Sequence, residues 1–326
     1  MSKIILVTGG AGYIGSHTSY LLYNNGYQVI ILDDLVYNQP CTCPWAVFIK
    51  GDFADYNILD DIFLKYNIDA VMHFAAFIEV QQSVMQPQRF YENNVIKTIQ
   101  LIDKILHEGV KKFVFSSSCA VYGSPQDIPI DENHPFAPLS PYGKNKLVVE
   151  CVLQDYAHAY GLQYVSLRYF NAAGALIDQD LGEWHNPETH VIPNLMRAIL
   201  LDKAFCVFGD DYATIDGSCI RDYIHVLDIA AAHVLAYEYL QAHAVSQVFN
   251  LGSGMGYTVK QLVRVAEEVA GKKIRLEIAN RRPGDVPTLV ANTTKIKNML
   301  GWQPQYSDLA SMITTAYAWE KKRLAL

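Results

Sequence analysis

The sequence predicts an α/β fold, a doubly wound parallel sheet with a smaller C-terminal α/β lobe, and three features carry that prediction. Short apolar runs alternate with longer amphipathic stretches through the first half, and a glycine-rich turn joins the first run to the first helical stretch. Beyond about residue 172 the alternation loosens into loops and isolated helical stretches. We divide the chain accordingly at residue 171, with 1–171 as the main sheet domain and 172–326 as the smaller lobe, segments of which pack back on the first.

Taken in order, strands are expected near residues 3–8, 28–33, 46–50, 70–74, 111–117 and 163–168. Helices are expected near 14–26, 55–66, 91–108 and 142–160. This is the βαβ rhythm in which helices carry the chain back between parallel strands. In the second half, 174–190 and 209–222 read as loops, while 227–242 and 258–270 read as helices. No polar linker divides the lobes, and neither an internal repeat nor a low-complexity tract interrupts them.

With 326 residues, 51% of them hydrophobic, the chain can bury a substantial core. Its formal net charge is −7, from 26 basic and 33 acidic residues interspersed along its length. That pattern lacks the footprint of a nucleic-acid binder or an anionic-membrane binder and favours a small-molecule partner. Cys41, Cys43, Cys119, Cys151, Cys206 and Cys219 match neither a zinc spacing nor a disulfide framework, so reduced thiols and a cytoplasmic location are expected. Met1-Ser2-Lys3 runs directly into Ile4-Ile5-Leu6-Val7 without room for a signal peptide, and no apolar run reaches the length of a membrane span.

Thr8-Gly9-Gly10-Ala11-Gly12-Tyr13-Ile14-Gly15 follows the first strand and opens the first helix, spacing Gly9, Gly12 and Gly15 as GxxGxxG. Glycines there let the backbone turn sharply and approach a pyrophosphate, whose charge sits on the free N–H groups of the helix start. The next strand ends at Asp33, where a carboxylate binds the adenosine ribose and repels a 2′-phosphate, so NAD is favoured over NADP. Asp52, after the third strand, is a candidate neighbour of the adenine and equally an exposed turn residue.

Two further segments converge on catalysis. Ser116-Ser117-Ser118 ends the strand Lys112 to Phe115, and Ser140-Pro141 reads as an N-cap followed by proline at the first helical position. Tyr142 and Lys146 then share one helical face at i, i+4. Free tyrosine has a pKa of ~10, so its use as a base near neutrality requires a fall of about three units, roughly 4 kcal/mol. A lysine cation one turn away, the helix N-terminus and the positive charge of oxidised nicotinamide all act in that direction.

A glycine loop, a strand-end serine and YxxxK together resemble the extended short-chain dehydrogenase/reductase family. The likeness continues through His73-Phe74-Ala75-Ala76, Tyr91-Glu92-Asn93-Asn94, Val121-Tyr122-Gly123, Arg168-Tyr169-Phe170-Asn171, Pro193-Asn194-Leu195-Met196, Arg221-Asp222-Tyr223-Ile224-His225-Val226 and Arg281-Arg282-Pro283-Gly284-Asp285. Together these are similar to the UDP-sugar 4-epimerases of that family. The resemblance implies a Rossmann NAD-binding domain, a substrate-binding lobe and reversible oxidation at the sugar C4 of UDP-glucose and UDP-galactose. A 4-keto sugar would turn over in the pocket and receive the hydride on its other face, so that tightly bound NAD is regenerated.

By the same resemblance Tyr142 removes the 4-OH proton, Ser118 bonds that oxygen, and Lys146 grips the nicotinamide ribose. Gly9, Gly12, Tyr13, Ile14, Gly15, Asp33, Asp52, Phe74, Ala75, Asn93, Ser116 and Tyr169 are the further cofactor residues. Arg221 and Arg282 would hold the diphosphate through paired guanidinium donors. Asn171, Asn194 and Leu195 would line the substrate, with Asp285 near the uridine ribose and Cys206 and Phe208 beside the uracil. A homodimer built from the helices near 91–108 and 142–160 is also implied.

The chain departs from the family pattern in three places. Ile78 stands where many members carry a cofactor-contacting lysine, with Glu79 following, the stretch from Asp33 to Asp52 is shorter than in the best-known members, and Leu289 occupies the position that gauges room for an N-acetyl group. We expect a preference for plain hexoses. The alternatives are the same chemistry on UDP-xylose, UDP-N-acetylglucosamine or a uronic acid, a nucleotide-sugar 4,6-dehydratase, and an NAD-binding sensor without turnover. A dehydratase would carry an acidic pair after the strand-end serine, where this chain has Cys119-Ala120; a sensor would have no use for Ser118, Tyr142 and Lys146 together.

The ten histidines form no HExxH pattern, and the spacing of His185 and His190 is not a usual metal-binding arrangement, so no metal is expected. Asp60-Asp61 and Asp210-Asp211 read as helix-start or loop charges, and Cys119 as a small buried hydrophobe.

Overall fold

A computed structural model describes residues 2–37, 43–282 and 285–324. Met1, Cys41 and the Pro283-Gly284 pair of the Arg281 to Asp285 motif lie outside the described residues.

The first half alternates as its sequence predicts. β1 (Ile4–Thr8), α1 (Tyr13–Asn24), β2 (Gln28–Asp33), β3 (Val47–Lys50), α2 (Tyr56–Lys65) and β4 (Ile68–His73) come first. Two short helices that the sequence did not predict, α3 (Val80–Met85) and α4 (Pro87–Tyr91), come next, and the expected helix at 91–108 follows as a π-helical turn at Glu92–Ile96 and α5 (Lys97–His107). β5 (Lys112–Ser118), α6 (Pro141–Tyr160) and β6 (Gln163–Tyr169) complete this half.

The second half contains β7 (Asn171–Ala173), α7 (Val191–Leu200), β8 (Phe205–Phe208), β9 (Ile220–His225), α8 (Val226–His243) and β10 (Gln247–Leu251). It ends with β11 (Gly256–Thr258), α9 (Val259–Ala270), β12 (Leu276–Ala279), β13 (Thr288–Leu289), α10 (Thr294–Leu300) and α11 (Leu309–Leu324). The expected helices near 227–242 and 258–270 are α8 and α9. The stretch 209–222 is not loop to its end, because β9 begins at Ile220.

Seven strands form one parallel sheet in the order β10-β6-β5-β4-β1-β2-β3. Alternation along β1 sends Ile5 and Val7 into the core on one face and Leu6 into the core on the other, as a sheet covered on both sides requires. α1 packs against α8 on the first face, so a helix and a strand of the second half complete the first. α5 and α6 bury Leu101, Ile105, Val149 and Leu153 on the second. β7, β9, β11 and β13 form a smaller sheet, β8 pairs with β12, and α7, α9 and α11 enclose a separate core around Leu195, Met196, Leu262 and Met312.

The order reverses at β1, whose chain leaves toward β2 and β3 before crossing back to β4. Diverging connections leave a crevice beyond the carboxyl ends of β1 and β4, the place where open α/β sheets bind ligands. No helix of the described residues is long and apolar enough to cross a membrane.

Candidate active site

A cleft of about 430 Å³ opens at that crevice. Its floor is the glycine turn. Gly9 has φ +71°, and a Cβ there would lie 2.4 Å from the Ala75 nitrogen; a Cβ on Gly15 would lie 2.2 Å from the Gly9 carbonyl oxygen. Neither distance admits a side chain, so β1, α1 and the Phe74-Ala75 turn close on one another only through glycine. The Gly12 N-cap offers no side-chain bond to the helix start, which leaves N–H donors of α1 available to an anion. At the end of β2, Asp33 accepts from Ala11 N at 3.0 Å and Leu35 N at 2.9 Å, and its carboxyl is raised by burial against the pull of those bonds. Such a floor fits a dinucleotide with a free ribose diol.

Ser140 caps α6 by accepting from Gly143 N at 3.1 Å, with Pro141 following, as the sequence predicts. The cap fixes where α6 begins, and its first two turns then carry Tyr142 and Lys146 to the cleft wall beside Ser116 and Ser118 of β5. Tyr142 bonds to the Ser118 hydroxyl. Lys146 Nζ lies 5.8 Å from the centre of the Tyr142 ring and donates to the Ser116 carbonyl at 2.7 Å.

The electrostatics differ from the sequence expectation. Burial pushes the Tyr142 phenol up to about 12, opposed by the Ser118 bond, and burial pulls Lys146 down to about 7, opposed by the charge on Glu150. The protein's own groups therefore raise the phenol instead of lowering it. Desolvation outweighs the Ser118 bond, and the nearby Lys146 is itself short of charge. Cys119 is likewise pushed up to about 12 by burial, in keeping with an inert thiol.

Of the sequence-predicted cofactor residues, Gly9, Gly12, Tyr13, Ile14, Gly15, Asp33, Phe74, Ala75, Asn93, Ser116, Tyr142, Lys146 and Tyr169 line the cleft. Asn93 sits in the π-helical turn, beside Asn94, whose side chain ties down Phe77 N at 2.8 Å and Phe77 O at 2.9 Å. Asp52 does not line the cleft; it pairs with Lys97 and accepts from Ala54 N.

The predicted substrate residues divide. Ser118, Tyr142 and Asn171 line the cleft. Arg221 bonds the Ile220 and Val286 carbonyls and pairs with Asp285 at 3.3 Å, while Arg282 stacks 3.9 Å over the Phe208 ring on the strand that holds Cys206. This group lies outside the enclosed cleft, although the Arg221 charge reaches Cys119 on its wall. Asn194 and Leu195 are set back. Asn194 bonds the Glu188 carbonyl and Leu195 is fully buried in the second-lobe core, whereas His190 and Val191, one turn earlier, face the cleft.

Sequence reasoning missed that wall. The segment from Glu183 through His185 and on to Ile192 and Pro193 lines the cleft, its glutamates close enough to act on Tyr13, and Tyr37 meets His185 edge to face at 5.7 Å. The apolar spacing Ile192, Leu195, Met196, Ile199, with Pro193 in the first turn, is the signal that would have revealed α7 and placed this strap at its start. Within the strap, His190 Nδ1 lies 2.5 Å from Glu183 Oε1 and 3.4 Å from Glu188 Oε1, and His185 Nδ1 lies 3.3 Å from the same Glu183 oxygen. Charge on the two imidazoles, His190 first, holds the Glu183 carboxyl low against its burial, and the two glutamates raise His190 against its own.

Comparison with known proteins agrees with this architecture. The model of the NAD dependent epimerase/dehydratase family matches residues 5–252. UDP-glucose 4-epimerase of Rhizobium meliloti (strain 1021) is 49% identical over 320 residues, covering 98% of this chain and 97% of the relative. UDP-glucose 4-epimerase of Halalkalibacterium halodurans is 50% identical over 319 residues, covering 98% and 96%. The crystal structure of UDP-glucose 4-epimerase from Brucella ovis in complex with NAD superposes with a TM-score of 0.93 at 44% identity, over 97% of this chain and 98% of that one.

Proposed function

The chain belongs to the NAD dependent epimerase/dehydratase family, and we propose from that premise how its cleft works. It is an NAD-dependent isomerase that interconverts UDP-glucose and UDP-galactose. The observation that carries the site assignment is the meeting of the Ser118 hydroxyl, the Tyr142 phenol and the Lys146 ammonium on one wall of a cleft floored by Gly9 and Gly15.

NAD, when bound, accepts the C4 hydride and returns it, and its nicotinamide charge favours a phenolate nearby. Tyr142 takes the proton from the sugar 4-OH and later restores it. Ser118 holds that oxygen and the phenol in one hydrogen-bonded line, and Lys146 supplies the positive neighbour. Since burial raises Tyr142 and lowers Lys146, the pair is poised for proton transfer only with the cofactor in place. Gly9, Gly12 and Gly15 admit the pyrophosphate and Asp33 takes the adenosine ribose. Arg221 and Arg282 bind the diphosphate of the UDP-sugar, which requires Arg221 to share its donors between phosphate and Asp285.

Incubation of the purified protein with a panel of UDP-sugars and no added NAD, followed by NMR, tests the reading. UDP-galactose should equilibrate with UDP-glucose, and inertness toward both would overturn the assignment. Tyr142→Phe should lose about 10²- to 10⁴-fold in kcat while retaining bound NAD. Wild-type turnover by that variant would remove Tyr142 from the chemistry.

The same proposal includes a homodimer and a cytoplasmic location. α3, α4, α5 and the π-helical turn gather around α6, leaving Val84, Met85, Ile96 and Val148 exposed. A second copy covering these side chains would bury apolar surface that a monomer leaves wet. Light scattering should give twice the chain mass for the wild type and the chain mass for Ile96→Asp with Val148→Asp. A wild-type monomer would end the idea. The scattered cysteines suit a reducing compartment.

A further inference from the structure

We propose that the strap ahead of α7 is a zinc site, with Glu183, His185, Glu188 and His190 as its four ligands. One ligand atom from each lies within 4.8 Å of all the others. Ligands held at ~2.0–2.2 Å around a tetrahedral zinc ion lie about 3.3–3.6 Å from each other, so the strap side chains must shift by about an ångström to complete the sphere. In sequence the set reads E-x-H-x2-E-x-H, which matches no common zinc spacing; the fold turns it inward on itself.

Two independent features point to a cation. Glu183 and Glu188 are both buried, their side chains 8% and 1% exposed, and among the described residues no lysine or arginine pairs with Glu183. Arg197 meets Glu188, but the buried Glu183 carboxylate has only imidazoles beside it as counter-charge among the described residues. His185 Nδ1 is also buried without a hydrogen-bond partner, although it lies 3.3 Å from Glu183 Oε1. An imidazole nitrogen aimed at a carboxylate but not bonded to it is the arrangement a metal between them would resolve.

The donor set selects the ion. Two imidazoles with two carboxylates suit zinc, whereas calcium takes six to eight oxygens and magnesium keeps most of its waters. Four protein ligands close the sphere, so the ion is structural and takes no part in hydride transfer. It ties the strap into one loop whose next residues, Val191, Ile192 and Pro193, line the cleft. The reading does not rest on the identity of the sugar, because metal content is measured without substrate.

The test uses the full-length wild-type protein, purified without chelator, equilibrated with micromolar zinc chloride and exchanged into metal-free buffer. We expect roughly one zinc per chain by mass spectrometry, and crystals should show an anomalous peak at the zinc edge among the four side chains. His185→Gln with Glu188→Gln should hold less than about a tenth as much, and chelation of the wild type should lower its melting temperature until zinc alone is restored. Wild-type protein that retains no zinc, a peak elsewhere, or a double variant that retains a full equivalent would each overturn the site. Because the wild-type measurements stand alone, a double variant that fails to fold leaves the proposal open to refutation.

Discussion

The two walls of the cleft are built by different means. On the glycine side the backbone does the shaping: Gly9 and Gly15 bring β1, α1 and the Phe74-Ala75 turn within distances that exclude a Cβ, and the polar groups beneath are neutral or fully paired. On the strap side, charged side chains set the position. Glu188 is tied to Arg197, Arg197 to Glu320, and the Trp319 indole donates to the Glu183 carbonyl at 2.8 Å. A wall made of backbone tolerates little substitution and needs no charge, whereas a wall made of side chains is only as fixed as its charges are balanced.

Three measurements can break or sharpen that contrast. The largest effect should come from Glu150→Ala, on α6 at the sheet side of the cleft. Glu150 and Arg168 form a pair whose side chains are 6% and 4% exposed, and Ser117 also donates to Glu150. Removing one partner leaves an uncompensated buried charge, a loss of about 3–5 kcal/mol in denaturant unfolding. A loss below ~1 kcal/mol would show that water reaches the pair and that the sheet side is less tightly built than its burial implies. Gly15→Ala should cost about 1–3 kcal/mol from overpacking and should release the dinucleotide during purification. Normal cofactor retention would mean that the turn relaxes, and the contrast between the walls would fail.

The third measurement concerns acid. His73, between Thr8 and Thr98, is driven down to about 3 by burial and the Lys146 charge, and burial drives His233 down to about 4 against the Ile229 carbonyl bond. Both are neutral when folded, and in the unfolded chain they take up protons near pH 6.5. Their stability contribution is complete above that value and is lost as pH falls toward 4, at about 1.4 kcal/mol per pH unit for each imidazole. Unfolding curves at pH 7.5, 6 and 5 should show the slope, and His73→Asn should remove one imidazole's share. A flat profile would mean that these rings are not held neutral.

Legibility in the sequence follows the same divide. β1 to β6 fall within two residues of their expected bounds, because buried parallel strands are continuous apolar runs between turn signals. The glycine turn and the Ser140-Pro141 start of α6 were equally plain, since caps and φ-positive turns are local chemistry. Strands of two to four residues such as β7 and β13 carry no periodicity, and both exist only by pairing with β9, far along the chain. The strap was invisible for the same reason: four ionisable residues scattered over one loop become a cluster only when the fold turns them inward. Asn194 and Leu195, expected on the substrate, stand set back from the enclosed cleft, and Tyr142 was expected to be acidified by its neighbours, whereas burial raises its phenol.

The place of β10 in the large sheet governs how the chain emerges from the ribosome. β6 ends at Tyr169, yet its outer partner, Gln247–Leu251, is translated about 80 residues later. At ~5–20 residues per second the nascent polypeptide spends roughly 4–16 s with an apolar strand edge bare, long enough for chaperone capture or misassociation with a neighbouring polysome product. A transcript cut after the first half should therefore yield insoluble material, and slowing translation between the two strands should lower the soluble yield.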